Sequence, residues 1–317
     1  MTWSAKQYLV FEDERTRPVR DLLAALPAID ARAAVDIGCG PGNSTELLAA
    51  RFPNATVSGL DNSADMIVAA RKRLPAVRCE VVDIESWVSA DAGRAAPFDV
   101  ILANAVLQWI PGHAELFPAL IAKLAPGGGL AVQMPDNLAE PAQRLMREIA
   151  ADGPWSRKLA AAAETRASIE GADWYYKLLR PSCAKVDVWR TTYYHPLSGG
   201  ENAIVEWFKG SGLRPFLEPL DDGERAAYLS RYTAAVNHAY PPLPDGTALL
   251  PFPRLFVVAI RQGDMAARSA AGQARACGAS HTIELPPPAR RPIESRPPMA
   301  LERKRMVRIP RPVPRAS

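Results

Sequence analysis

The segment at residues 35–43, VDIGCGPGN, constrains this chain more than any other. It joins an apolar run, AAVDIG at 33–38, to a helical run that begins STELLAA. Glycines at such a strand-to-helix junction let the backbone take positive φ and approach a ligand where a Cβ would collide. Turns of this kind belong to α/β sheets, whose ligands bind beyond the carboxyl ends of the strands. Gly38, Gly40 and Gly42 follow the order G-x-G-x-G, with Asn43 where a dinucleotide-binding turn has its third glycine. Asp36 suits a cationic ligand group better than a pyrophosphate. The glycines alone leave both ligands open.

The pattern around the turn supports the sheet. Apolar runs recur at 55–60, 77–82, 98–104 and 129–134, with helical patterns at 44–51, 64–74 and 114–124. Near-continuous apolar strands alternating with helices predict a parallel sheet covered on both faces. Pro18 before VRDLLAAL marks the first turn of a helix. After 134 the pattern turns helical (139–165, 173–179), then strand-like at 185–194 (KVDVWRTTYY). Two more helices (202–209, 222–238) precede a last apolar strand, RLFVVAIR at 254–261. Four regions follow: an N-terminal lid and helix (1–30), a ligand-binding core (31–134), a helical substrate lid with the last two strands (135–262), and a tail from 263. Helices inserted at the carboxyl rim of such a sheet form lids.

Three further strand ends carry polar groups. Asp61 ends the second strand, 21 residues after Gly40, where an acid reaches ribose hydroxyls. Asp83 ends the third, where a carboxylate can accept from an adenine amino group beside the backbone of Ile84. Asn104 ends the fourth. Each acid taken singly also fits a helix N-cap; four polar strand ends on one rim favour a ligand.

Charge and cysteine usage narrow the classes. The net charge of +4 comes from the tail, which holds eleven Lys/Arg against four Asp/Glu and nine of the 30 prolines. Without it the chain is slightly acidic, which removes the hint of nucleic acid. The tail cannot bury enough apolar surface to order itself and is expected to be disordered. Cys39, Cys79, Cys183 and Cys277 show no metal-ligand spacing. No apolar run reaches the roughly 20 residues that span a bilayer. The expectation is a cytoplasmic protein, monomer or weak dimer, with no metal, membrane or nucleic-acid partner.

VDIGCGPGN, GLDNSADMI, VVDIESW and LANAVLQWI resemble the four cofactor motifs of the class I, Rossmann-like S-adenosylmethionine methyltransferases. The resemblance covers 30–134. It implies a seven-stranded, mostly parallel sheet whose last strand is antiparallel, with helices on both faces. It also implies that S-adenosylmethionine is held by Asp36, Gly38, Gly40, Gly42, Asn43, Asp61, Asn62, Met66, Asp83, Ile84, Asn104, Gln108 and Trp109. A closer similarity rests on WSAKQYLVFEDERTRP at 3–18, QWIP at 108–111 and WFKGSGLRPFL at 207–217. RYT at 231–233 and the run from 240 to 259 extend it to the family of bacterial trans-aconitate methyltransferases. That family implies methyl-ester formation on one carboxylate of a small polycarboxylate.

A carboxylate nucleophile, with a reference pKa near 4, is already ionised and needs no general base. The protein then supplies alignment and counter-charge, and no side chain is expected to act as a catalytic acid or base. The expected substrate contacts are Arg15 and Arg17, Tyr193, Tyr194 and His195, Lys209 and Arg214, and Arg231 with Tyr232. Trp3, Tyr8 and Phe11 fit either a cover over the cofactor or a staple for the first helix. Trp87 or Trp109 is expected to wall the adenine, with Trp155, Trp174 and Trp189 in the lid core. His113 is assigned to the N-terminal turn of a helix.

Overall fold

The computed structural model describes residues 12–90, 97–164 and 168–263. Trp3, Tyr8, Phe11 and the tail from 264, with Cys277, lie outside the described residues. The strands are β1 (Ala33–Ile37), β2 (Thr56–Asp61), β3 (Arg78–Val81), β4 (Phe98–Asn104), β5 (Leu124–Pro135), β6 (Cys183–Leu197) and β7 (Ala248–Arg261). They form one sheet in the order β3-β2-β1-β4-β5-β7-β6, parallel from β3 to β5, with β7 antiparallel to both its neighbours.

Period-2 alternation sends successive residues of each central strand into two different cores. Ala34, Val100 and Leu102 pack with Val19 and Leu22 of α1 (Glu12–Ala25) and Leu48 of α2 (Asn43–Arg51). Val35, Ile37, Ile101 and Ala103 pack with Phe117 and Leu120 of α5 (His113–Ala122) and Tyr175 of α8 (Ala172–Leu179). Ile67 and Ala70 of α3 (Ala64–Arg73) cover Cys39 and Cys79. The short α4 (Ile84–Ser89) follows β3.

Helix α1 begins at Glu12, so Pro18 lies inside it rather than at its start. A proline there forfeits one helical hydrogen bond, and apolar packing of Val19, Leu22 and Leu23 against the sheet holds the helix despite it. The extra turn and a half carries Arg15 and Arg17. Between β5 and β6 lie α6 (Pro141–Ala151), α7 (Ser156–Glu164) and α8. Three helices rather than two separate β6 from β7: α9 (Ala203–Lys209), the short α10 (Arg214–Leu217) and α11 (Asp222–Ala239). The two strands pair along their whole length, and β7 pairs β5 only from Arg254 onward. Residues 248–253 of β7 and 192–197 of β6 therefore run past the sheet as a ribbon into the lid. There Trp155, Trp207, Phe208, Tyr228 and Tyr232 build a separate core with Leu250 and Phe252.

Candidate functional site

The carboxyl ends of the parallel strands and the lid enclose a cleft of about 440 Å³. Gly38 (φ +69) and Gly40 (φ +54) form its floor. The amides of Gly38 and Cys39 both donate to the Leu60 carbonyl, at 2.7 and 2.9 Å. Asp61 holds the turn from the next strand: its Oδ2 accepts from Gly40 N at 2.9 Å and its Oδ1 from Ser63 N at 2.8 Å. Burial raises its pKa against those two amides. Each carboxylate oxygen can accept a second hydrogen bond, which is the capacity a pair of ligand hydroxyls needs.

Asn62, Met66, Asp83 and Ile84 continue this wall. Asp83 is both a helix cap and a residue of the cleft wall. It caps α4, accepting from Ser86 N at 2.9 Å, which lowers its pKa, and it lines the cleft. Opposite lie Asn104, Gln108 and Trp109. Between them Ala105 takes φ +54, a conformation rare outside glycine and asparagine. Two bonds pin it there: its amide donates to the Gln133 carbonyl at 2.8 Å, and its carbonyl accepts from Gln108 Nε2 at 2.6 Å. Asn104 Oδ1 and Gln108 Oε1 are buried without a hydrogen-bond partner. Buried acceptors of this kind are costly unless a ligand donor meets them. The glycine floor and the two acceptors fit an adenosyl cofactor that carries a free amino group.

Three expected cofactor residues lie elsewhere. Asp36 is wholly buried beneath the turn and does not reach the cleft. Its Oδ2 accepts from Ser44 Oγ at 2.6 Å and Thr45 Oγ1 at 2.7 Å, tying β1 to the first turn of α2. Gly42 is the N-cap of α2 and faces Ala70 and Leu74. Asn43 lines a side recess of about 20 Å³ that shares Arg15, Gly38 and Asn104 with the main cleft.

Of the nine expected substrate contacts, Arg15 alone lines the cleft. Its guanidinium lies 5.2 Å over the Trp207 ring. Arg17 lies 5.3 Å over Tyr193, and Tyr193 donates its hydroxyl to Asp21 at 2.6 Å. Tyr194 is 60% exposed. Lys209 pairs with Glu206, Arg214 with Glu218, and Arg231 with Asp152. Tyr232 is buried and donates to the Ala142 carbonyl. His195 is buried against Trp207 and Phe252, its Nε2 without a partner. Desolvation first, then Arg254, Arg15 and Arg17, push its pKa down to about 3.

Two cleft arginines escape a reading from sequence. Arg147 of α6 donates to the Leu138 carbonyl at 2.7 Å, and Arg254 of β7 donates from Nη1 to Gln133 Oε1. Arg254 opens the apolar run 254–261 in the sequence but lies midway along β7, and the only signal was a charge at the edge of that run. Trp109 lines the cleft, whereas Trp87 packs on Phe98. His113 starts α5 and bridges the Tyr175 hydroxyl (2.6 Å) to the Leu107 carbonyl (2.9 Å), bracing the turn that carries Gln108.

The strand order, the glycine turn and the strand-end carboxylates define a class I, Rossmann-like methyltransferase, whose methyl donor is S-adenosylmethionine. A family model described as a methyltransferase domain matches residues 35–130. The YcgJ protein of Bacillus subtilis superimposes with a TM-score of 0.52 at 11% identity, over 78% of this chain and 98% of that one. A trans-aconitate 2-methyltransferase of Methylobacterium nodulans is 54% identical over 259 residues, 82% of this chain and 98% of the relative. One of Rhodopseudomonas palustris is 54% identical over 262 residues, covering 82% and 99%. The chain belongs to the trans-aconitate 2-methyltransferase family.

Asp61 gives a direct check on the cofactor wall. Asp61→Asn should weaken S-adenosylhomocysteine binding in calorimetry about 10- to 100-fold, since hydrogen bonds to a charged group contribute about 1.5–3 kcal/mol. Wild-type affinity would remove Asp61 from the cofactor site.

Proposed function

We propose that the chain esterifies one carboxylate of trans-aconitate, or of a closely related small polycarboxylate, to a monomethyl ester. The observation that carries this reading is the division of charge along the cleft. Asp61, Asp83 and Glu85 lie among the strand ends, and Arg15, Arg147 and Arg254 lie in the wall that the lid and ribbon complete. No Lys, His, Cys or Tyr lines the cleft among the described residues. That composition suits an acceptor that arrives anionic and ready to react.

S-adenosylmethionine, when bound, supplies an electrophilic sulfonium methyl. Gly38, Gly40, Asp61, Asn62, Met66, Asp83, Ile84, Asn104, Gln108 and Trp109 would hold it. Asp61 presents its remaining acceptor capacity to hydroxyls. Asn104 Oδ1 and Gln108 Oε1 take an amino group. The arginines bind the acceptor's carboxylates through planar forks, which fix orientation as well as charge. Trp207, Phe208, Phe216 and Phe252 exclude water from the same space, strengthening each charge-assisted bond. Catalysis is then in-line alignment and desolvation, with no proton to remove.

The test uses methyl-labelled S-adenosylmethionine with a panel of di- and tricarboxylates. Base-labile label in an organic extract, greatest with trans-aconitate, is the expected result. Labelling of amines or phenols with no ester from any polycarboxylate would refute the proposal.

A further inference from the structure

Helix α6 brings two polar side chains to the cleft from the lid. Its Arg144 and Glu148 pair with each other at 2.6 Å, and Ala142, Met146, Ile149 and Ala150 enter the lid core. Gln143 and Arg147 both line the cleft, and their i, i+4 spacing sets them side by side one helical turn apart. Arg147 donates from Nη2 to the Leu138 carbonyl at 2.7 Å, and no carboxylate of the described residues lies within 4 Å of it. One carbonyl leaves most of the five guanidinium N–H groups, and the charge itself, to be met from the cleft. Gln143 is only 7% exposed, and its side-chain amide makes no hydrogen bond to the described residues. That amide lies over Gly212, another residue of the cleft wall, where an added Cβ would come within 3.0 Å of Nε2. A buried amide with unused donors is costly, as is a cation in the same pocket met by one neutral oxygen. A ligand carboxylate that accepts from both relieves both.

We infer that Gln143 and Arg147 form the lid's receptor for a non-reacting carboxylate of the acceptor, Arg147 being the specificity-determining residue and Gln143 the positioning one. This rests on the polycarboxylate reading. The cofactor wall comes from the strand ends and the receptor from the lid, so the two recognitions separate. A neutral group in place of the held carboxylate brings no charge to Arg147, and the lid thereby tells a polycarboxylate from an acceptor with fewer acids.

Steady-state kinetics test this. Arg147→Gln should raise the KM for trans-aconitate about 30-fold and leave kcat within about threefold, because a contact made equally in the ground and transition states acts on KM. Arg147→Lys should recover part of the loss. Gln143→Glu sets an acid four residues before Arg147, a spacing that supports a helix, so the melting temperature should hold or rise. The same carboxylate fills the receptor from within, and KM should rise at least as far. A merely structural Gln143 would move stability and leave KM alone. Affinity for S-adenosylhomocysteine should stay within about threefold in every variant. Three analogues, mesaconate, itaconate and cis-glutaconate, each lack a different carboxylate of trans-aconitate. On the one missing the held carboxylate, the loss in Arg147→Gln should shrink below about threefold. Equal losses on all four acceptors, an unchanged KM, or a matching loss of S-adenosylhomocysteine affinity overturns the assignment. If wild-type protein esterifies none of the four, the polycarboxylate reading falls, and calorimetry decides the receptor separately. Trans-aconitate binding to the S-adenosylhomocysteine complex that disappears in Gln143→Glu keeps it. Equal affinity in both proteins, or no binding to wild type, overturns it.

Discussion

Gly38→Ala is expected to abolish high-affinity cofactor binding and to lower the melting temperature by roughly 5–20 °C. Two penalties coincide at this residue. Its φ of +69 lies where an L side chain is strained, at about 1–3 kcal/mol. Its added Cβ would also lie 2.4 Å from Val106 Cγ2 and 2.5 Å from Val106 Cβ. Overpacking of this kind costs about 1–3 kcal/mol when the neighbour yields, and a domain of this size melts about 2–4 °C lower per kcal/mol. Val106 yields poorly, because the turn behind it is fixed through Ala105 to Gln133 and Gln108. Any shift displaces Asn104 and Gln108, so one methyl group disturbs both walls of the cleft. Gly40→Ala is the control. Its φ is +54, but no heavy atom lies within 4 Å of its added Cβ. It should keep the melting temperature within a few degrees and still impair binding, since the Cβ enters the space the ligand needs. Val106→Gly should partly rescue Gly38→Ala, whereas Val106→Ala should not, because the Val106 Cβ is itself in the way. Wild-type affinity and melting in Gly38→Ala would show that the turn is looser than its geometry.

The residues that govern this cleft divide by how far their partners lie along the chain. Glycine turn, strand-end acids and the parallel sheet were legible because each is a local pattern: a run of glycines, a polar residue ending an apolar run, a repeat of strand and helix. The acceptor side was not. Lys209, Arg214 and Arg231 were singled out for being cations in a lid. Two of them pair with carboxylates three or four residues away, Glu206 and Glu218, whose spacing is plain in the sequence. Arg254 and Gln133 lie 121 residues apart and meet only because β7 runs antiparallel to β5. Gln133, the partner that holds Arg254, was hidden inside an apolar strand, where its amide reads as an interruption. Asp36 illustrates the converse. Its position in the motif was plain, but its partners are the hydroxyls of Ser44 and Thr45, which turn it inward.

That inward turn has a measurable consequence. Burial raises the Asp36 pKa from 3.8 to about 7, against the lowering effect of the two hydroxyls, so the carboxyl binds a proton more tightly folded than unfolded. Its stabilising contribution is complete below about pH 4 and is lost as pH rises through 7. The loss is on the order of 4 kcal/mol, at 1.36 kcal/mol per pKa unit. His195 acts in the opposite sense. Its folded pKa of about 3, against 6.5 unfolded, leaves stability intact above pH 6.5 and erodes it as pH falls toward 3. Between pH 4 and 6.5 the two slopes have opposite sign and similar size, so they cancel and leave these groups contributing little net slope. Asp36→Asn removes one of them. The amide keeps the shape and still accepts from both hydroxyls. Urea melts should then show the stability of the variant, relative to wild type, rising by roughly 1.4 kcal/mol per pH unit from 4 to 6.5. At pH 8 the variant should exceed wild type by about 3–4 kcal/mol, with near equality at pH 4. Parallel curves for the two proteins would mean that Asp36 ionises as an ordinary carboxylate, and that the hydroxyls of Ser44 and Thr45 fully offset its burial.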